Sequence, residues 1–142
     1  DMRLDEVPHV DLNETITSKI DAVNPSVVYT HSRKEVNLDH TRIYDSTLVA
    51  TRPSSDVSVV LAYETPSSSD WYYTQDRFGP SLFVDITEHI NDKISAFELY
   101  STEVRDYPHP RSARALRALA ERRGGQSGYE FAEGFSLVRM IC

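Results

Sequence analysis

An α/β layered fold with a largely parallel sheet is predicted by three observations. Short β-branched runs alternate with segments of helical period, turn signals separate them, and the connecting segments are long enough for crossover helices. Asp11 to Val23 reads as the first helix, because Leu12, Ile16, Ile20 and Val23 recur at steps of four, four and three and form one apolar stripe. Pro25 ends it, since its ring removes a backbone donor and biases Asn24 away from helical angles. Ser26-Val27-Val28-Tyr29-Thr30 follows as a buried strand, then His31 to Leu38 as a polar loop. From Asp39 the helical period resumes, with His40, Ile43, Tyr44, Thr47 and Leu48 on one face, until Pro53-Ser54-Ser55.

Val57 to Tyr63 is a second strand, and Glu64 to Pro80 a long polar loop carrying Trp71, Tyr72, Tyr73 and Phe78. Loops longer than about 12 residues are uncommon inside compact domains and are usually functional or mobile. Leu82 to Ile86 is a third strand, with Thr87 placed to cap a helix that carries Ile90, Ile94, Phe97 and Val104. Pro108-His109-Pro110 interrupts, Ser112 caps a further helix, Gly124-Gly125 ends it, and Phe135 to Ile141 forms the last strand.

Composition narrows the function classes. A chain of 142 residues with 39% hydrophobic and 26% charged side chains is one ordinary domain. It buries roughly two-thirds of its unfolded surface. The longest apolar run, Val57 to Tyr63, is broken by Ser58, so no membrane-spanning segment is expected. A net charge of −7 argues against nucleic acid as a partner, which needs a basic surface. One cysteine, Cys142, leaves no internal disulfide and no cysteine-rich zinc cluster, and it fits a reducing, cytoplasmic setting. Arg105, Arg111, Arg114, Arg117, Arg122 and Arg123 form a local basic cluster, read either as solvated helix faces or as an anionic-ligand patch.

Chemistry concentrates after the first strand. The crevice beyond the carboxyl ends of the strands is where open α/β sheets bind ligands. The segment Tyr29-Thr30-His31-Ser32-Arg33-Lys34-Glu35-Val36-Asn37-Leu38-Asp39-His40 delivers two histidines, an asparagine and an aspartate there. A neutral His40 suits zinc, with Asp39 able to hold the other ring nitrogen or a water. A histidine on an apolar helix face is more often a packed core histidine than a ligand, and zinc takes three or four ligands, so two histidines nine residues apart are no cage by themselves.

Val28-Tyr29-Thr30-His31 followed by Asn37-Leu38-Asp39-His40 resembles the second metal motif of the PIG-L/LmbE-like zinc-dependent N-acetylglucosaminide deacetylases. Further segments resemble that family in order. They are Asp1-Met2-Arg3-Leu4, Tyr63 to Trp71, Phe83-Val84-Asp85-Ile86 with Lys93-Ile94, Glu103-Val104-Arg105, Pro108 to Ser112, Gly128-Tyr129 and Ala132-Glu133-Gly134-Phe135. The resemblance implies a Rossmann-like sheet flanked by helices and removal of an acetyl group from an N-acetylglucosamine-type conjugate. His40 would be one zinc ligand, Asp39 its supporting carboxylate, and Asn37 or His31 a hydrogen-bond donor to the oxyanion. Trp71, Tyr72, Arg111 and Glu133 would line the substrate site.

The family's first motif, Ala-His-Pro-Asp-Asp-Glu, has no counterpart between Asp1 and Cys142, and Asn37 stands where many members carry histidine. The resemblance therefore implies residues 1–142 as the C-terminal portion of a single deacetylase domain. Its partner would be the N-terminal half, which holds the remaining zinc ligands; a homo-oligomer is also implied. The alternative is a non-catalytic sugar- or partner-binding module on the same scaffold.

Overall fold

In the computed structural model, residues 3–142 are described; Asp1 and Met2, which open the first of the family-like segments, lie outside them. The element order is α1 (His9–Val23), β1 (Val27–His31), α2 (Leu38–Ala50), β2 (Val59–Tyr63), β3 (Leu82–Asp85), α3 (Ile90–Glu98), α4 (Ala113–Ser127) and β4 (Ala132–Met140). The strands run β1-β2-β4-β3 in one sheet. β1 and β2 pair in parallel from Val27↔Val59 to His31↔Tyr63. β3 and β4 pair antiparallel from Leu82↔Phe135 to Asp85↔Ala132. The sheet is thus mixed, a correction to the largely parallel sheet expected. No described helix is long and apolar enough to cross a membrane.

The chain divides into two compact units, one of residues up to Gly79 together with Ser136–Cys142, the other Pro80–Phe135. In the first, α1 begins two residues earlier than its stripe suggests, because Pro8 serves as N-cap and its carbonyl accepts the backbone N–H of Asp11 and Leu12 at 3.1 and 3.3 Å. Asn24 ends it in the left-handed region at φ 49°, its N–H returning to the Ile20 carbonyl. β2 is buried along Val60-Leu61-Ala62, whereas β1, at the end of the strand order, exposes Val27 and Tyr29. An edge strand covered on one side explains why β1 is not the buried strand its composition suggests. On α2 the buried residues are Ser46, Thr47 and Ala50, while Leu48 faces out. Small side chains bring that helix close to the sheet: Thr30 Oγ1 donates to Thr47 Oγ1 at 3.2 Å, in a fully buried contact. Arg139 donates to the carbonyls of Thr51 and Val57, so a half-buried guanidinium closes the backbone entering β2.

The second unit packs Ile90, Ala120 and Phe131 together, with Ile86 and Ile94 against them. Thr87 does not cap α3. Its hydroxyl and its N–H both donate to Asp85 Oδ1, at 2.6 and 2.9 Å, and the helix starts only at Ile90. α3 ends at Glu98, short of Val104. Ser112 does cap α4, accepting the Ala115 N–H at 3.1 Å. Gly124-Gly125 does not end that helix: it continues to Ser127 and stops at Gly128, whose φ of 82° only glycine adopts cheaply.

Candidate functional site

The residues that the sequence brings to notice after β1 converge in the first unit. His31 is the last residue of β1, opposite Tyr63 at the end of β2. The turn beyond it is tied down by Ser32 N–H to the Tyr63 carbonyl at 2.9 Å and by Lys34 N–H to Ser32 Oγ at 3.0 Å. Val36 N–H reaches the Ser68 carbonyl at 3.1 Å, which knits this turn to the loop after β2. Asn37 then caps α2, its Oδ1 accepting the Asp39 N–H at 2.9 Å. That cap brings His40 back over the strand end: its ring stacks on His31 with centroids 4.0 Å apart and planes 20° apart. Tyr63 lies against His31 at 4.9 Å, tilted by 54°.

Both nitrogens of the His40 ring have partners. Nδ1 pairs with Glu35 Oε1, and Nε2 faces the Asn37 side-chain amide nitrogen at 3.3 Å. The Glu35 side chain is 0% exposed, and its other oxygen, Oε2, is buried with no hydrogen-bond partner among the described residues. Asp39 points elsewhere: its Oδ1 accepts the Asp5 backbone N–H at 3.2 Å. The carboxylate behind the His40 ring is therefore Glu35. Sequence reading passed over it, although it is the sole carboxylate in the segment between His31 and Asp39.

Burial lowers the His31 pKa to about 4, helped by the adjacent His40, and its Nδ1 is buried with no partner among the described residues. At neutral pH His31 is uncharged, so it can give or take a hydrogen bond but brings no standing charge to an oxyanion. Burial raises the Tyr63 phenol above its ordinary value, and the nearby Glu35 carboxylate adds to that shift.

The aromatic loop is ordered by its own backbone. Ser67 holds a left-handed φ of 73° while buried, and Asp70 Oδ2 accepts its N–H at 2.8 Å. A strained non-glycine residue of this kind persists only where its surroundings fix it. Trp71 is exposed and Tyr72 half-buried at the end of that turn. Arg111 and Glu133 belong to the second unit, where Arg111 pairs with Glu103 and Glu133 with Lys93. Further arginines of the cluster have local partners there. Arg105 donates to the Thr102 and Val104 carbonyls, Arg114 covers the Tyr107 ring at 4.1 Å, and Arg117 donates to Asn91 at 2.6 Å.

A zinc centre needs three or four converging donors. Among the described residues no group of three His, Cys, Asp or Glu side chains could hold a metal ion. The stacked imidazoles carry their lone pairs in nearly parallel planes, which does not make a chelate. What the chain does present is one imidazole with a buried carboxylate on Nδ1, the arrangement that orients a metal-binding histidine through its other nitrogen. The residues present thus fit one position of a zinc site and not a complete one.

No protein-family model matches the sequence, and no curated protein matches it. Solved structures do. N,N'-diacetylchitobiose deacetylase from Pyrococcus horikoshii superimposes with a TM-score of 0.70 at 19% identity, over 94% of this chain and 54% of its own. The A40926 pseudoaglycone deacetylase Dbv21 gives 0.69 at 21% identity, over 94% of this chain and 60% of its own. The chain shares the LmbE-like fold with both. GalB, the 4-carboxy-2-hydroxymuconate hydratase of Pseudomonas putida KT2440, matches it too, with a TM-score of 0.66 at 19% identity over 93% of this chain and 60% of its own. The chain spans between 54% and 60% of the length of these three proteins. Because a hydratase shares the scaffold with deacetylases, the LmbE-like fold alone does not select a reaction.

Proposed function

We propose that residues 1–142 are the C-terminal portion of a zinc-dependent N-deacetylase domain acting on an N-acetylglucosamine-type conjugate, with His40 as its zinc ligand. The observation that carries this reading is the buried Glu35 carboxylate on His40 Nδ1, which leaves Nε2 as the nitrogen for coordination. The match to two deacetylases supports the scaffold this reading needs, and the coverage of about half their length supports a partial domain whose remaining ligands lie in an N-terminal half.

Zinc supplies Lewis-acid polarisation of the acetyl carbonyl and a water of lowered pKa. The chain's own residues orient and exclude. Glu35 holds the His40 ring, while His31, neutral and stacked on it, shields one face and offers a hydrogen bond to the developing oxyanion. Asn37 is a donor beside the same ring, and Asp39 secures the start of α2 to the segment at Asp5. Trp71 and Tyr72, on the loop joined to this turn through Ser68, would pack against sugar rings. A homo-oligomer is part of the same reading.

The second reading, a non-catalytic sugar- or partner-binding module, is favoured by the lack of a three-donor group among the described residues. Acetate release from N-acetylglucosamine conjugates by the encoded protein at full length, with zinc supplied, separates them. Turnover that His40→Ala abolishes supports the enzyme; sugar binding without acetate release supports the module.

A further inference from the structure

The hydrogen bonds around His40 determine more than its orientation. The Asn37 side chain caps α2, and a backbone N–H can only donate, so the atom facing Asp39 must be the amide oxygen. The amide NH2 is then the group that faces His40 Nε2 at 3.3 Å. An NH2 group has no lone pair to offer, so Nε2 must be the accepting, unprotonated nitrogen. The imidazole proton consequently sits on Nδ1, where the Glu35 carboxylate receives it. A helix cap, a side-chain amide, an imidazole and a buried carboxylate form one directional chain, and each link permits one hydrogen placement.

We infer that Asn37 and Glu35 are positioning residues that lock His40 in a single tautomer, with the proton on Nδ1 and the ring's one lone pair on Nε2. This deepens the deacetylase reading, since that lone pair is the one a metal would take. It also means that the Asn37 amide and a metal ion compete for the same atom, a role for Asn37 distinct from donating to an oxyanion.

The test is nitrogen NMR of histidine-labelled chain, well above the ordinary histidine titration range, with no metal and no substrate. In the wild type the His40 signals should show Nδ1 protonated and Nε2 bare, as one species. Glu35→Ala removes the acceptor and should raise the Nε2-protonated form several-fold. Glu35→Gln should keep the wild-type pattern, because the Asn37 donor leaves only the glutamine oxygen a compatible partner for Nδ1. Asn37→Asp keeps the helix cap but puts an acceptor opposite Nε2, so a proton should appear there; this variant decides the matter if Glu35→Ala does not fold. A wild-type ring protonated on Nε2, or unchanged signals in Glu35→Ala and Asn37→Asp, would overturn the inference. Because the readout needs neither zinc nor turnover, the tautomer can be refuted while the deacetylase reading stands, and the reverse.

Discussion

Two adjacent glycines in α4 should respond to the same substitution with opposite sign. Glycine inside a helix ordinarily costs about 0.5–1 kcal/mol relative to alanine, from its extra backbone entropy. Gly125 is exposed and a β-carbon there would meet nothing within 4 Å, so Gly125→Ala should gain about that amount. Gly124 is buried, and its added β-carbon would lie 2.5 Å from the Glu130 carbonyl oxygen and 2.6 Å from that of Tyr129. Both obstacles are backbone, in the turn that leads from α4 into β4, and they cannot swing aside as a side chain would. The Tyr129 N–H also donates to the Gly124 carbonyl at 3.1 Å, so moving the turn strains a bond as well. Overpacking typically costs about 1–3 kcal/mol, which outweighs the propensity gain. The two variants should therefore differ by about 1–3 kcal/mol, the overpacking cost, with Gly124→Ala below the wild type and Gly125→Ala above it. Urea unfolding with a common slope measures this as opposite shifts of the midpoint. A Gly124→Ala protein as stable as the wild type, or two variants shifted alike, would refute the close approach.

Other perturbations follow from single contacts. The folded His31 pKa of about 4 lies below its ordinary 6.5, so the unfolded chain takes the proton first as pH falls. Stability from this group is complete above pH 6.5 and is lost toward pH 4. The loss is about 3 kcal/mol at most and roughly 1–2 once screening of a half-exposed ring is allowed for. His31→Gln should flatten that part of the pH–stability curve relative to wild type, and an unchanged curve would contradict the shift. Ser112→Ala removes the α4 cap and should cost about 1 kcal/mol by thermal unfolding, whereas Thr87→Ala should leave the start of α3 intact, because Thr87 does not cap it. A fall in α3 helicity on Thr87→Ala would restore the cap that its position in the sequence suggests.

Much of this arrangement is legible in the sequence. Periodicity located α1, α2 and the strands to within a few residues, and it placed His31, Asn37, Asp39 and His40 around one strand-to-helix junction, where they lie. The misses share a cause: competition that a single sequence does not display. Thr87 has the chemistry of a cap, but Asp85 two residues earlier claims its hydroxyl. Gly124-Gly125 has the chemistry of a stop, but Gly124 is needed where the chain doubles back, and the helix runs on to Gly128. Asp39 neighbours His40 in the chain, yet successive residues on a helix face different ways, and the carboxylate that reaches the ring comes from Glu35 in the preceding turn. Strand direction was hidden for a related reason, since a return through two helices does not state how β4 will lie against β3.

The direct test of the functional account is the zinc content of the encoded protein at full length, purified with His40 intact and as His40→Ala. One zinc per chain in the wild type, lost in the variant while the fold is kept, is the expected result. A wild-type protein that holds no zinc, or a His40→Ala protein that holds it equally well, would contradict the assignment of His40.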